Sequence, residues 1–380
     1  MHFLGDLIND AIAKHLAEKL VGLSDDEAEA LIDEAIVSIM DTVETETLAS
    51  VHKLAPGNRR YNQRTTSRFV RHLKKRWKPV FERLEVIWAI SEELGRLYNE
   101  RYRSTAAEQN DYKFDALIHL HARALLIVRE MICLLEGGYP DGALARWRSL
   151  HEHAVVATFI RQSDADTAYR YLASFYFTSL SRARNYNDYA DRANLRSFTD
   201  DELKEMEAWC DALKSTTGNL KGDFGWAAAT LGKKSPTLLD LEKATGLDHW
   251  RPRYKWACQH NHAPHRPGDK LLGAAEAEQI VFLVGGSNSG FVDPVQMAAM
   301  SLEIITTTLM LHEEVLDNII WLRVLHSFVD GIGEFSMSVE AETKTIWDEQ
   351  QQGWWIAFLG WGRRLVRRVL SGLGSLVGNR

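Results

Sequence analysis

The run Gly142-Ala-Leu-Ala-Arg-Trp-Arg-Ser-Leu-His-Glu-His153 concentrates the side chains best suited to chemistry. Arg148 and Glu152 stand four apart, so on a helix they share a face and an Arg–carboxylate pair is expected. Arg146, Ser149 and His153 fall on a neighbouring face. Arg148 and His153, with Arg146 and Glu152, are the candidate catalytic residues of this run. The bland alternative is a structural ion-pair network, because polar groups set among apolar helix residues need partners once buried. Four Arg/His pairs in the chain fit the spacing (146/151, 146/153, 148/153 and 253/260), so position, not spacing, singles out Arg148 and His153.

A second concentration lies at His249–Gly268, which holds four of the fourteen histidines. Cys258, His260, His262 and His265 read C-x-H-x-H-x-x-H, and thiolate and imidazole are zinc ligands. The pattern fits no finger spacing, so the expectation is no metal and no cofactor. These histidines are expected to hydrogen-bond the helices or to complete the polar site at Arg148 and Glu152. Gly285–Gly290 is glycine-rich but lacks the strand, lysine and spacing of a phosphate loop, and reads as a helix–helix turn.

The tail is the third feature. Advancing 100° per residue from Trp354 to Val377 gathers the large apolar side chains on one arc and Arg363, Arg364, Arg367 and Arg368 on the other. Trp354, Trp355 and Trp361 cluster near one end. That pattern suits a helix lying in an anionic membrane surface, or docking its apolar stripe in a protein groove.

The elements that must position these residues read as helical nearly throughout. The chain has only eight prolines in 380 residues, apolar spacings of three and four, and no strand-like alternation. The fold expected is all-α, a multi-helix bundle with irregular loops at about 215–236 and 249–268 and a C-terminal amphipathic helix. Ser24-Asp-Asp-Glu27 opens a helix to about Met40, and Pro56-Gly57 separates it from a basic helical region at about 66–103, bent near Pro79. Gly137-Gly138-Tyr139-Pro140 closes one helix and starts the next, making a hairpin. Thr199-Asp-Asp-Glu202 caps a further helix, and one long helix runs from about Val295 to Phe328. The expected organisation is three domains: residues 1–105, a helical region with a basic helix; 106–330, the core bundle; and 331–380, a linker and basic amphipathic tail.

The net charge of −7 discourages a bulk nucleic-acid coat, yet Arg59–Arg83 carries ten Lys or Arg against one acid, Glu82. With Trp77 and Phe81 interleaved, this stretch is the place where RNA would bind. Three distant cysteines argue for a reducing compartment, and the N-terminus does not read as a secretory signal. The expected address is the cytoplasm, peripheral on the inner face of the membrane.

The hairpin, the segment from Phe224 to Ala263 and the later long helix together resemble an uncharacterised bacterial helical family, domain of unknown function 5677, over roughly residues 111–327. Arg148-Ser-Leu-His-Glu152 matches its Arg-Ser-Leu-x-Glu motif, and Tyr254 its tyrosine shortly before a histidine, here His260, His262 or His265. That resemblance implies no activity. Arg148 and His153 also resemble the motif of HEPN-type ribonucleases; that resemblance implies a metal-independent endoribonuclease with a composite site in a homodimer, the histidine acting as general acid or base and the arginine stabilising charge on the phosphate. Two functions therefore stand side by side. One is an interaction or sensor-effector protein, in bacterial defence or toxicity, whose tail engages a membrane or partner. The other is the ribonuclease.

Overall fold

In the computed structural model the described residues are 22, 24–262, 267, 270–276, 282–312 and 315–342, apart from the side chain of Glu46. The chain divides into two compact units, Met1–Arg71 with Thr343–Arg380, and His72–Glu342. Every regular element among the described residues is helical.

Helix α1 spans Asp25–Gln109. Ser24 starts it as the sequence implies, with its backbone N–H (3.0 Å) and hydroxyl (2.7 Å) both donating to the Glu27 carboxylate. The expected stop near Met40 and the break at Pro56-Gly57 do not occur. A proline inside a helix removes one N–H and crowds the carbonyl four residues back. Pro56 and Pro79 both face solvent, so their rings disturb nothing but the local ladder. On the opposite side of Pro79, Leu73, Trp77, Val80, Leu84 and Ile87 are fully buried. Each contributes about 1.5–3 kcal/mol by leaving water, which together outweighs one proline's roughly 3 kcal/mol.

In the unit from His72 onward, α2 (Tyr112–Glu136) and α3 (Pro140–Gln162) form the expected hairpin. The Asp111 carboxylate caps α2 through Phe114 N–H, at 3.0 Å. The turn uses Gly138 at φ +89°, which a side chain would resist, and Pro140 opens α3 where its missing N–H is harmless. Helices α4 (Ala165–Ala190) and α5 (Asp200–Thr217) come next in the chain, the second held by the predicted Thr199/Glu202 capping box. Beyond them lie the one-turn α6 (Ala228–Leu231), then α7 (Leu238–Thr245) and α8 (Arg251–Cys258). Helix α8 lies in a stretch the sequence reads as loop. Pro252 sits in its first turn, and Tyr254 and Ala257 are buried.

The single long helix expected over 295–328 is two, α9 (Val292–Met310) and α10 (Leu316–Val329), succeeded by α11 over 332–342. Two polar contacts from distant parts of the chain and one local cap hold the break. Arg161 donates to Leu311 O at 2.7 Å, His312 pairs with Asp111 at 2.8 Å, and Asn318 Nδ2 caps Met310 O at 2.9 Å. None of these partners is visible to a periodicity argument.

Helix α9 packs against both arms of the hairpin, α4 lies on α2, and α7 and α8 lie on α3. Trp147 at the centre is sealed from solvent and donates Nε1–H to Ser301 at 2.9 Å. Trp77 donates to Asn288 O at 3.1 Å and meets the Phe291 ring at 4.8 Å.

Candidate functional site

Helix α3 presents its polar residues in three directions, and each group meets a different element. On one side, Arg148 Nε donates to the Tyr254 hydroxyl at 3.0 Å, and that hydroxyl donates to Glu152 Oε1 at 2.6 Å. Arg148 closes the triangle with Glu152 at 3.1 Å. Tyr254 is 8 % exposed, whereas Arg148 and Glu152 are about one-third exposed, so the triangle is open at its rim. Burial, reinforced by Glu152, pushes the phenol well above the ordinary tyrosine range, so it stays a neutral donor. The hydrogen bond to Tyr254 raises Arg148 further and keeps it cationic.

The second group is deeper. His151 Nε2 stands 3.0 Å from Glu242 Oε1, and Arg251 donates to Glu242 Oε2 at 2.9 Å. The side chain of Glu242 is fully buried and that of His151 nearly so. The His151 ring is tilted against both Trp147 and Tyr254, with centroids 5.3 and 5.4 Å away, so it adjoins both groups. A cavity lined by Trp147, His151, Trp250, Met297 and Ser301 adjoins them. Its volume, about 10 Å³, is that of one water.

On the third side, Arg146 pairs with Glu130 across the hairpin and donates to Ser149 Oγ at 3.3 Å. His153 Nδ1 sits 2.7 Å from Ser149 O, one turn back on its own helix. Burial holds its imidazole below the ordinary histidine value. Arg148 and His153, five residues apart, point about 140° away from each other around α3.

The sequence-predicted residues therefore separate. Arg148, Glu152 and Tyr254 come together as expected, and Arg146 and His153 do not join them. His260 goes to a different place, the first turn of α3, 3.1 Å from Asp141 Oδ1, with its own side chain 3 % exposed. Asp141 also accepts the backbone N–H groups of Leu272 and Gly273, both at 2.9 Å. His262 is exposed, and His265 lies outside the described residues. No group of three metal-ligating side chains occurs among the described residues. Trp354, Trp355, Trp361, Arg363, Arg364, Arg367 and Arg368 also lie outside them.

The Gly285–Gly290 run is more than a turn between helices. Ser287 N–H donates to Gly138 O at 2.8 Å in the hairpin turn, and at Gly290, φ +83°, a Cβ would meet Leu272 O at 2.2 Å. The two aromatic residues expected to face RNA in the basic stretch, Trp77 and Phe81, are not on a surface. Both are core, Arg76 forms a buried two-pronged pair with Glu276 (2.6 and 2.9 Å), and Arg83 donates to the carbonyls of Ser327, Phe328 and Asp330.

Sequence reasoning missed His151, Glu242, Arg251 and Asp141. A signal existed for two of them. His151 occupies an inward position in the row Trp147, Leu150, His151, Ala154, and Glu242 does so in Leu238, Leu241, Glu242. A polar residue at a core-facing position announces a buried partner.

Residues 114–279 match the model described as "Family of unknown function (DUF5677)". That span holds α2 through α8, with Arg148, Glu152, Glu242 and Tyr254, and it stops short of α9, which closes the core. No curated protein and no solved structure matches the chain.

Proposed function

We propose that the chain works by binding: a helical interaction or sensor-effector protein, whose basic amphipathic segment beyond Gly353 engages an anionic membrane surface or a protein groove. The observation that carries this reading is the outer face of α10. Leu316, Ile319, Ile320 and Trp321 are 70, 45, 53 and 50 % exposed, four large apolar side chains in contact with solvent on a fourteen-residue helix. The amphipathic pattern of the tail, with four arginines opposite tryptophan and leucine, supports the same class of function.

The ribonuclease reading has less support. A general acid–base histidine must reach the scissile phosphate together with the arginine. Here the two side chains leave α3 on different sides, and the Arg148 guanidinium already serves Tyr254 and Glu152.

Flotation with vesicles rich in anionic lipid tests the proposal. Full-length protein rises with the vesicles, and protein truncated after Gly353 stays at the bottom. If full-length protein also stays at the bottom, the membrane branch is lost. Cleavage of a mixed RNA pool that disappears in both Arg148→Ala and His153→Ala would replace the binding reading with the catalytic one.

A further inference from the structure

The cavity between α3 and α9 plays no part in the function just proposed, and its wall has a chemistry of its own. Trp147 and His151 come from α3, Met297, Met300 and Ser301 from α9, and Trp250 from the turn before α8. Its volume of about 10 Å³ holds one water or one small ion and nothing larger.

His151 is the polar anchor. Its side chain is 3 % exposed, and Nε2 is engaged by Glu242 at 3.0 Å. The Glu242 carboxylate, paired with Arg251, accepts from Nε2–H, so the neutral ring keeps its lone pair on Nδ1. No partner for Nδ1 occurs among the described residues. A carboxylate behind one ring nitrogen fixes the tautomer and strengthens the other nitrogen as a ligand, which is how metal-binding histidines are held.

The methionines select the ion. Met297 is 1 % exposed and Met300 half-buried, and each brings a soft, uncharged thioether to the same cavity. Zinc takes a fuller set of histidine, cysteine and carboxylate, and no three of those come together among the described residues. Thioether sulfur beside imidazole suits Cu(I). The faces of Trp147 and Trp250 also attract a cation. A water in the same place would find only His151 Nδ1 and Ser301 Oγ, the second already accepting from Trp147 at 2.9 Å.

We propose that His151 Nδ1 and the thioether sulfurs of Met297 and Met300 bind one Cu(I) ion in this cavity.

The test uses the full chain carrying Cys133→Ser, Cys210→Ala and Cys258→Ser, so that no thiolate competes, with Cu(I) supplied without oxygen from a coloured bicinchoninate complex. If that background loses its helical circular dichroism, Cys133→Ser with Cys258→Ser serves instead, because Cys210 is 2 % exposed. The protein should withdraw a single equivalent of copper from the chelator. Met297→Leu with Met300→Leu, which conserves volume, should withdraw none. Met310→Leu changes another buried methionine of α9, one that does not border the cavity, and should leave uptake unchanged. X-ray absorption at the copper edge should show sulfur and nitrogen neighbours together. No uptake, equal uptake by the Met297/Met300 variant, or a copper shell without sulfur overturns the proposal.

Discussion

Glu242 keeps its carboxylate sealed from solvent 3.0 Å from His151 Nε2, a polar contact within the packing of α7 on the middle of α3. With Arg251 at 2.9 Å on the second oxygen, it is the most deeply buried part of the polar site. A carboxylate without water depends entirely on such partners.

Removing the partners should therefore cost more than removing the charge. Combining Arg251→Ala with His151→Ala strands Glu242 and should destabilise the fold by about 3–5 kcal/mol. Glu242→Gln, which keeps shape and hydrogen-bonding capacity, should cost clearly less. Urea unfolding monitored by circular dichroism distinguishes them, and equal losses would show that the ion pair itself matters little.

The Arg148–Tyr254–Glu152 triangle makes a milder prediction. Tyr254→Phe deletes only the hydroxyl, leaving Arg148 and Glu152 paired at 3.1 Å near solvent. Two hydrogen bonds to charged groups disappear, so the expected loss is about 1–3 kcal/mol. Arg148→Lys, which cannot reproduce the planar fork, should lose part of it. The readout is the urea midpoint of each variant.

His121 gives the pH dependence. Its ring is fully buried beside Thr306, 3.2 Å away, and burial lowers its pKa from 6.5 to about 4. The folded state thus resists protonation more than the unfolded chain does. Stability from this group is complete above pH 6.5 and is lost as pH falls through about 4, a slope worth about 3 kcal/mol in total. Plotting unfolding free energy from pH 7 to pH 4 for wild type and His121→Gln should show a steeper loss in the wild type, with the shallower slope left in the variant including that of His153.

Gly95 explains how that ring fits. A Cβ there would stand 2.4 Å from His121 Cε1, inside any tolerable contact. Gly95→Ala should cost about 1–3 kcal/mol through overpacking, despite alanine's better helix propensity. Adding His121→Ala should recover most of the loss, because the clash is with the ring alone. A double-mutant cycle with no coupling between the two sites would contradict the geometry.

Much of the site was legible in linear spacing. The four-residue step from Arg148 to Glu152 predicts their pairing, and the Gly137–Pro140 sequence predicts the turn that precedes them. Tyr254 could be matched to that pair only by resemblance, since its reach across from α8 depends on where α8 packs. His153 shows the limit of spacing. Five residues are close in sequence but sit on opposite flanks of a helix, and the carbonyl of Ser149, one turn back, captures the ring.

By itself the sequence determined the features that local, periodic physics dictates: an all-α fold, the caps at Ser24 and Thr199, and the α2–α3 hairpin. The tertiary structure decided the features that depend on burial. It carried α1 through two prolines, split the helix at Leu311, drew α8 out of an apparent loop, sent His260 to Asp141, and put Glu242 against His151. Helix propensity is a property of neighbours along the chain. The partner of a buried charge is set by whichever distant segment excludes water from it, and no spacing in the sequence records that choice.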